Sequence, residues 1–165
     1  MVIGKIIKVI QWVAIVVGVM LVIFVWNTKD KDISIKDFLY PGTPVMKIGG
    51  VPLRVDVAET DAERTLGLSG RSHLDAGSGL LFIFPNADYH SMWMKDMTFP
   101  IDIIWISEDL RVVSINEGVT PDSFPKTFRP SAPARYAVET NVQYVETFGI
   151  RQGQTVELPV GTLIK

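Results

Sequence analysis

The chain has 165 residues, of which 47% are hydrophobic, and its formal net charge is −2 at pH 7. A chain of this length is expected to form one domain, and its apolar content is ample for a core. The slight negative charge argues against nucleic acid as a partner. Because the sequence contains no cysteine, disulfide bonds, thiol catalysis and a lipid-modified leader are excluded.

The chain begins with an apolar segment that predicts a membrane anchor. From residue 9 to residue 26, seventeen of eighteen residues are apolar or glycine. A helix of that length spans about 27 Å, close to the hydrocarbon thickness of a bilayer. No Ala-x-Ala pattern follows, as a cleaved secretory signal would require. We therefore expect one uncleaved transmembrane helix within residues 1–26, with the following domain in the periplasm or outside the cell.

The remainder of the chain divides into a linker and a folded domain. Residues 27–44 carry alternating charges and then Pro41, Gly42 and Pro44, which predicts a juxtamembrane linker. A mainly-β domain is expected over residues 45–165. Its first strand is predicted in LRVDVA, where Leu53 begins an alternation of apolar and other residues.

Two short helices and several further strands are predicted along this domain. Thr60 and Glu63 have the spacing of a capping box, and Gly67 ends the helix that they begin. A second helix is predicted between a cap at Asn141 and a stop at Gly149. Further strands are predicted in GLLFIF, YHSMWM, IDIIWI, RVVSI, ARYAVET, QTVEL and VGTLI, which are residues 79–84, 89–94, 101–106, 111–115, 134–140, 154–158 and 160–164.

These elements predict a mainly β (α+β) fold. Short connections favour antiparallel neighbours, so we expect an antiparallel β-sandwich or jelly-roll-like domain with two short helices, preceded by the transmembrane helix. The proline-rich segment 118–133 is too long for a simple turn. It is interpreted as either a functional flap or a disordered excursion.

One aspartate interrupts the apolar strand IDIIWI. Because side chains alternate along a strand, Asp102 shares its face with Ile104 and Ile106. A buried carboxylate without a partner costs several kcal/mol or shifts its pKa, so a partner is expected. A structural pair or turn cap and a ligand-binding or catalytic role both remain open. The candidate partners by charge are Lys95, Arg64, Arg71 and Arg135.

Metal and nucleophile chemistry have little support in the sequence. His90, Met92 and Met94 fall on one strand face, and imidazole with thioethers suits Cu(I), but methionine as core filling is the alternative. The segment GLSGR departs from the G-x-S-x-G pattern, and AGSGL lacks the lysine of a phosphate loop. No cofactor is therefore predicted.

Four segments, ERTLGLSGR, GLLFIF, WMKDMTFPIDIIWI and ARYAVETN, together resemble the bacterial and archaeal family called domain of unknown function 192. The resemblance covers about residues 53 to 158. It implies a compact mainly-β fold, often behind a signal sequence or a membrane anchor, and no established activity. Asp96 and Met97 replace the Asn-Thr that the family commonly has after Lys95. The family pattern falls here on Arg64, Gly67, Leu68, Arg71, Gly79, Phe82, Trp93, Met94, Lys95, Pro100, Asp102 and Glu139.

Three functions are compatible with these residues. The first is an anchored extracytoplasmic domain that binds a small polar ligand or a cell-envelope partner, with 118–133 as a flap. The second is a hydrolase that uses Asp102 and Glu139 as an acid/base pair. The third is a purely structural interaction scaffold. The predicted binding residues are Arg71, Lys95, Asp102, Glu139, Arg64 and Trp93.

Overall fold

The computed structural model of the chain describes residues 42–159, and these form nine strands, two short helices and one turn of 3₁₀ helix. The predicted anchor, residues 27–41 of the predicted linker and the last predicted strand lie outside the described residues. Within residues 42–159, no helix is both long enough and apolar enough to cross a membrane. The elements are β1 (Val45–Ile48), β2 (Val51–Ala58), α1 (Asp61–Leu66), β3 (Ser78–Asp88), β4 (Met92–Trp93), β5 (Ile101–Ile106), β6 (Val112–Val119), the 3₁₀ turn (Pro121–Ser123), β7 (Thr127–Phe128), β8 (Ala134–Asn141), α2 (Tyr144–Phe148) and β9 (Val156–Glu157).

Seven strands form one sheet in the order β6-β5-β8-β3-β2-β1-β9, and β4 pairs with β7 in a separate two-stranded sheet. The neighbours are antiparallel except β2 and β3, which are parallel. Parallel neighbours need a crossover connection, and the segment that contains α1 supplies it. The prediction of antiparallel strands is therefore wrong for this one pair.

The large sheet curls until its two edges meet. Strand β9 pairs with β1, where Lys47 lies opposite Glu157. The chain before β9 also bonds to the start of β6: the Gly153 N–H donates to the Val112 carbonyl at 2.8 Å, and the Val112 N–H donates to the Gln154 carbonyl at 3.0 Å. Because the first and last strands of one sheet join in this way, the described residues do not form the two face-to-face sheets of the predicted sandwich.

Both faces of the curled sheet are buried. We call the face inside the curl the inner face, since its cluster takes side chains from both meeting edges. The outer face of β3, β5 and β8 is covered by the connections that follow α1 and β3. The inner-face cluster includes Met46, Ile48, Leu53, Val55, Leu81, Ile104, Ile106, Val112, Val138, Val145 and Val156. The outer-face cluster includes Leu68, Leu80, Phe82, Phe84, Met92, Met94, Met97, Ile101, Ile103, Trp105 and Ala137.

Local signals account for helix α1. The Glu63 N–H donates to Thr60 Oγ1 at 3.2 Å, and the Thr60 N–H donates to Glu63 Oε2 at 2.9 Å. This reciprocal pair is the predicted capping box. The helix ends at Gly67, which has a φ of 53°, a value that glycine adopts without a Cβ penalty. The sequence prediction is confirmed for this helix.

Helix α2 agrees with its prediction at one end only. It ends at Gly149, whose left-handed conformation directs the Ile150 N–H back to the Val145 carbonyl at 2.9 Å. The predicted cap at Asn141 is wrong, because Asn141 belongs to β8 and its amide donates to the carbonyls of Leu74 and Asp75 at 3.0 and 3.1 Å. The helix begins three residues later.

Two of the predicted segments differ from the observed elements. Only Met92–Trp93 of the predicted strand YHSMWM pairs with another strand. The predicted loop 118–133 contains the end of β6, the 3₁₀ turn and strand β7. Pairing between β4 and β7 explains both differences, because it orders part of the loop and fixes the short strand beside the outer face.

Candidate functional site

Asp102 is a buried carboxylate whose hydrogen bonds go to the backbone. Its side chain is on the inner face, and the residue is 1% exposed. Oδ1 accepts the Gly118 N–H at 2.9 Å, and Oδ2 accepts the Val145 N–H at 3.1 Å. Val145 lies in the first turn of α2, whose N-cap residue Gln143 makes no side-chain capping bond. Asp102 therefore caps α2 from a neighbouring strand.

Glu139 is on the opposite face of the same sheet. In the pairing of β5 with β8, Ile103 lies opposite Glu139, and Asp102 lies opposite Thr140. Directly opposed residues project to the same side of a sheet, and successive residues project to opposite sides. Glu139 thus joins the outer face with Ile103, while Asp102 joins the inner face. The structure does not bring the two carboxylates together as an acid/base pair.

The carboxyl group of Glu139 is buried without compensation. The residue is 4% exposed, and Oε2 is buried with no hydrogen-bond partner. Burial disfavours the charged form and raises the pKa of Glu139 to about 8, although the nearby Arg71 guanidinium acts in the opposite direction. At neutral pH this carboxyl group is therefore mostly protonated, so it can donate one hydrogen bond.

Glu139 lines an open cavity of about 260 Å³ on the outer face. The lining is formed by α1 with the residues that follow it, by β4 with Met97, and by aromatic side chains of β3. Ligand pockets for drug-sized molecules are roughly 300–1,000 Å³, so this cavity suits a smaller molecule. The lining consists of Asp61, Arg64, Thr65, Leu66, Gly67, Leu68, Ser69, Phe82, Phe84, Ser91, Met92, Trp93, Met97 and Glu139.

Arg64 lies at the wall of this cavity, and three of the five N–H groups of its guanidinium bond to neighbouring residues. Nη1 donates to the carbonyls of Glu59 and Ile83, the latter at 2.7 Å, and Nη2 donates to Asp61 Oδ1. The guanidinium also lies over the Phe84 ring, 5.9 Å from its centroid. These contacts connect α1 to the turn that precedes it and to β3. Arg64 therefore holds the cavity wall in place.

The other two predicted cations lie outside the lining. Arg71 Nη1 pairs with Asp56 Oδ2 at 2.9 Å, and both side chains are well exposed. Asp56 lies opposite Leu80, which in turn lies opposite Glu139, so Asp56 is two strands from the buried acid. The Lys95 side chain is exposed and forms no salt bridge with any residue in 42–159. Its carbonyl accepts the Ser69 hydroxyl at 2.8 Å.

Trp93 and the three metal candidates lie near the same face. Trp93 lines the cavity and is 43% exposed, so its ring is available to a ligand. The His90 ring stacks on Phe84 with centroids 3.7 Å apart, and its Nε2 donates to the Asn86 carbonyl at 2.9 Å. Met92 and Met94 are buried in the outer-face cluster. Within residues 42–159, no group of three or more His, Cys, Asp or Glu side chains is arranged to hold a metal ion.

Of the fourteen lining residues, three are among the binding residues that the sequence predicts: Arg64, Trp93 and Glu139. Two further lining residues, Phe84 and Met97, could have been predicted from the sequence. Phe84 continues the alternation of Leu80 and Phe82, and Met97 lies where the chain departs from the family pattern. Asp96 has a φ of 55°, a left-handed conformation that aspartate tolerates as asparagine does. This turn places Met97 in the wall of the cavity. Thr65, Leu66 and Ser91 carried no signal of their own.

The fold and this site define the class of protein. It is a mainly-β domain with one curled, mixed sheet and a small cavity that is lined by a buried glutamic acid. The pattern of the uncharacterised ACR family, domain of unknown function 192, matches residues 44–158. The chain belongs to this family, as its motifs predict. A search of curated proteins finds no matching relative.

Two solved structures have a similar fold. A protein of unknown function from Novosphingobium aromaticivorans is 27% identical, with a TM-score of 0.65 over 68% of this chain and 83% of that chain. A protein from Sinorhizobium meliloti, described as a proposed transcription regulator, is 25% identical, with a TM-score of 0.66 over 71% of this chain and 94% of that chain. These likenesses cover nearly the whole described domain.

Proposed function

We propose that this protein is an extracytoplasmic binding protein, anchored to the membrane by residues 9–26, whose domain holds a small polar ligand in the outer-face cavity. The observation that carries the proposal is Glu139, a buried residue that lines an open cavity and whose Oε2 has no hydrogen-bond partner. Buried polar groups in proteins are nearly always paired, so an unpaired one calls for a partner such as a ligand, an ion or a water molecule. A ligand that bonds to this group would remove the unfavourable free energy of its burial.

Several neighbouring features support a binding role over the alternatives. The mixture of Phe82, Phe84 and Trp93 with one polar group at depth is typical of ligand pockets. The hydrolase alternative lacks its geometry, since Asp102 and Glu139 project from opposite faces. The net charge of −2 disfavours nucleic acid as a partner. A cell-envelope protein remains the alternative partner, and a scaffold without a ligand remains the alternative role.

Filling the cavity mouth tests the binding proposal. Thr65 and Ala62 are both exposed residues of α1, but only Thr65 lines the cavity. Full-length protein with Thr65→Trp and with Ala62→Trp would be purified from membranes, and small molecules released on denaturation would be measured by mass spectrometry. We expect a molecule that is retained by the wild type and by Ala62→Trp and is lost from Thr65→Trp. Equal release from all three proteins would contradict the proposal.

The anchor is tested separately. We expect the full-length protein to remain in the membrane fraction after alkaline extraction. A variant with Val16→Lys and Val17→Lys should be extracted, since two charges near the middle of a span are strongly unfavourable. Extraction of the unmodified protein would overturn the anchor and leave the cavity proposal intact.

A further inference from the structure

The charged groups around the cavity limit the ligands that it can take. An anionic ligand needs an available cation, and the only cationic side chain in the lining is Arg64. Its guanidinium is committed to the carbonyls of Glu59 and Ile83 and to Asp61, and its side chain is only 13% exposed. These contacts use three of its five N–H groups, and a ligand carboxylate or phosphate would compete with Asp61 for a largely buried guanidinium. The cavity therefore does not favour an anion.

A cationic ligand is disfavoured for complementary reasons. The Asp61 side chain is paired with Arg64 and 98% exposed, where water screens its charge, so Glu139 is the buried acid in the lining. To pair with a cation, Glu139 would have to ionise where it is almost completely removed from water. Moving both charges out of water is unfavourable by several kcal/mol before any attraction is gained. Arg64 in the wall and Arg71 beyond it add repulsion.

The uncharged part of the lining favours an apolar body with one polar atom. Phe82, Phe84, Met92 and Met97 present ring and thioether surfaces, and Trp93 is half-exposed at the mouth. Glu139 is the group at depth that needs a hydrogen-bond partner. A flat apolar ligand can pack between these walls and direct one oxygen toward the acid.

We propose that the cavity takes an electrically neutral ligand with an apolar or aromatic body and an oxygen acceptor, and that Glu139 selects this ligand by donating a hydrogen bond to the oxygen. This inference rests on the proposed binding function and names the chemical class of its ligand. Neutral amides, ketones and esters belong to that class. The raised pKa of Glu139, about 8, is consistent with the donor role near neutral pH.

Three probes of nearly equal shape separate the charge classes: benzamide is neutral, benzoate is an anion and benzylamine is a cation at pH 7. Each would be titrated into full-length protein that carries ¹³C-methyl methionine and is dissolved in detergent. Met92 and Met97 line the cavity, while Met46 is buried in the inner-face cluster and serves as the internal control. We expect benzamide to shift the Met92 and Met97 signals at a concentration at least about tenfold lower than the other probes, with Met46 unchanged.

Two variants test the role of Glu139. Glu139→Leu removes the donor and leaves no buried polar atom behind, so it should fold and should weaken benzamide binding about tenfold. Glu139→Gln keeps a neutral donor and should bind nearly as the wild type does. Wild-type binding should weaken as the pH rises through about 8, and binding to Glu139→Gln should not change in that range.

The possible outcomes separate the ligand class from the binding function. Stronger binding of benzoate or benzylamine at Met92 and Met97 would overturn the neutral class and leave the cavity as a ligand site. Equal benzamide binding by wild type and Glu139→Leu would overturn the role of Glu139. If none of the probes moves either cavity signal at tens of millimolar, both the inference and the proposed function fail.

Discussion

Asp102 and Glu139 carry buried carboxyl groups on adjacent strands, one residue apart in register, and they differ in their hydrogen bonding. On the inner face, Asp102 accepts two backbone N–H groups. On the outer face, Glu139 has a buried oxygen with no partner and lies beside an open cavity. The difference teaches that burial of a charged residue type does not by itself mark a site. What distinguishes the two is whether the fold satisfies the group.

The largest loss of stability on a single substitution should come from removing the satisfied carboxylate. Asp102→Ala leaves the buried Val145 N–H without an acceptor. It also removes the bond to the Gly118 N–H, but Gly118 is exposed, so water can partly replace that acceptor. We expect the free energy of unfolding to fall by roughly 3 kcal/mol, measured by urea denaturation. Asp102→Asn keeps one acceptor oxygen and should lose less. An unchanged urea midpoint for Asp102→Ala would show that the hydrogen bonds of Asp102 do not stabilise the fold.

The unsatisfied carboxyl should instead make stability depend on pH. The pKa of Glu139 is about 8 in the folded protein and 4.5 as the reference value. Between these values the folded state holds a proton that the unfolded state has released, so stability should fall as pH rises from about 4.5 to 8, by at most about 1.4 kcal/mol per pH unit. Urea unfolding of Glu139→Gln at pH 5, 6, 7 and 8 should lack this decline.

Glu63 provides a control of opposite sign for that experiment. Hydrogen bonds from the backbone of Thr60 and Glu59 lower the pKa of Glu63. Its contribution to stability is therefore present above the reference value of 4.5 and is lost as pH falls through the lower folded value. Glu63→Gln should remove a dependence that lies below pH 4.5 and leave the decline toward pH 8 intact. A decline that survives in Glu139→Gln would assign it to another group.

A smaller effect should follow from the cap of α1. This helix is capped by its own Thr60, whereas α2 is capped by Asp102 from another strand. Thr60→Ala should reduce the free energy of unfolding by about 1 kcal/mol and weaken probe binding, since α1 carries the cavity wall. Ala62→Ser, on the same helix, removes no capping bond, lies outside the cavity lining and serves as the control. Equal losses in both variants would show that the cap is not responsible.

The smallest effect is expected at Lys95. Its side chain is exposed and does not line the cavity. Lys95→Ala should change the unfolding free energy by less than about 0.5 kcal/mol and should leave the benzamide titration unchanged. A loss of benzamide binding with unchanged stability would show that Lys95 takes part in binding. Burial would then not separate the residues that bind the ligand from those that do not.

The sequence predicts best the features whose partners are close in the chain. The capping box at Thr60 and Glu63 lies within four residues, and the stop at Gly149 depends on a left-handed conformation that glycine adopts readily. Strand β5 agrees residue for residue with the predicted segment IDIIWI, because its apolar run is bounded by a proline and a polar turn. These signals are local, so one sequence is enough to detect them.

The same reasoning fails where a partner is distant and has no sequence signature. Side-chain alternation predicted that Asp102 faces an apolar side and needs a partner, but all four suggested partners were cations. The actual donors are backbone N–H groups at Gly118 and Val145, and every residue except proline carries such a group. The alternation of side chains along β8 does not predict that Glu139 lacks a hydrogen-bond partner, because that depends on which loops cover the outer face.

Closure of the large sheet has a consequence for biosynthesis. Strands β1 and β9 meet through Lys47 and Glu157, which are 110 residues apart, and β9 also completes the contact with the start of β6. A growing chain therefore cannot finish this sheet until β9 has been synthesised and released. Contacts of such long sequence separation form slowly. The domain should depend on protection of its unpaired strands until β9 is available, and chains that end before β9 should be degraded.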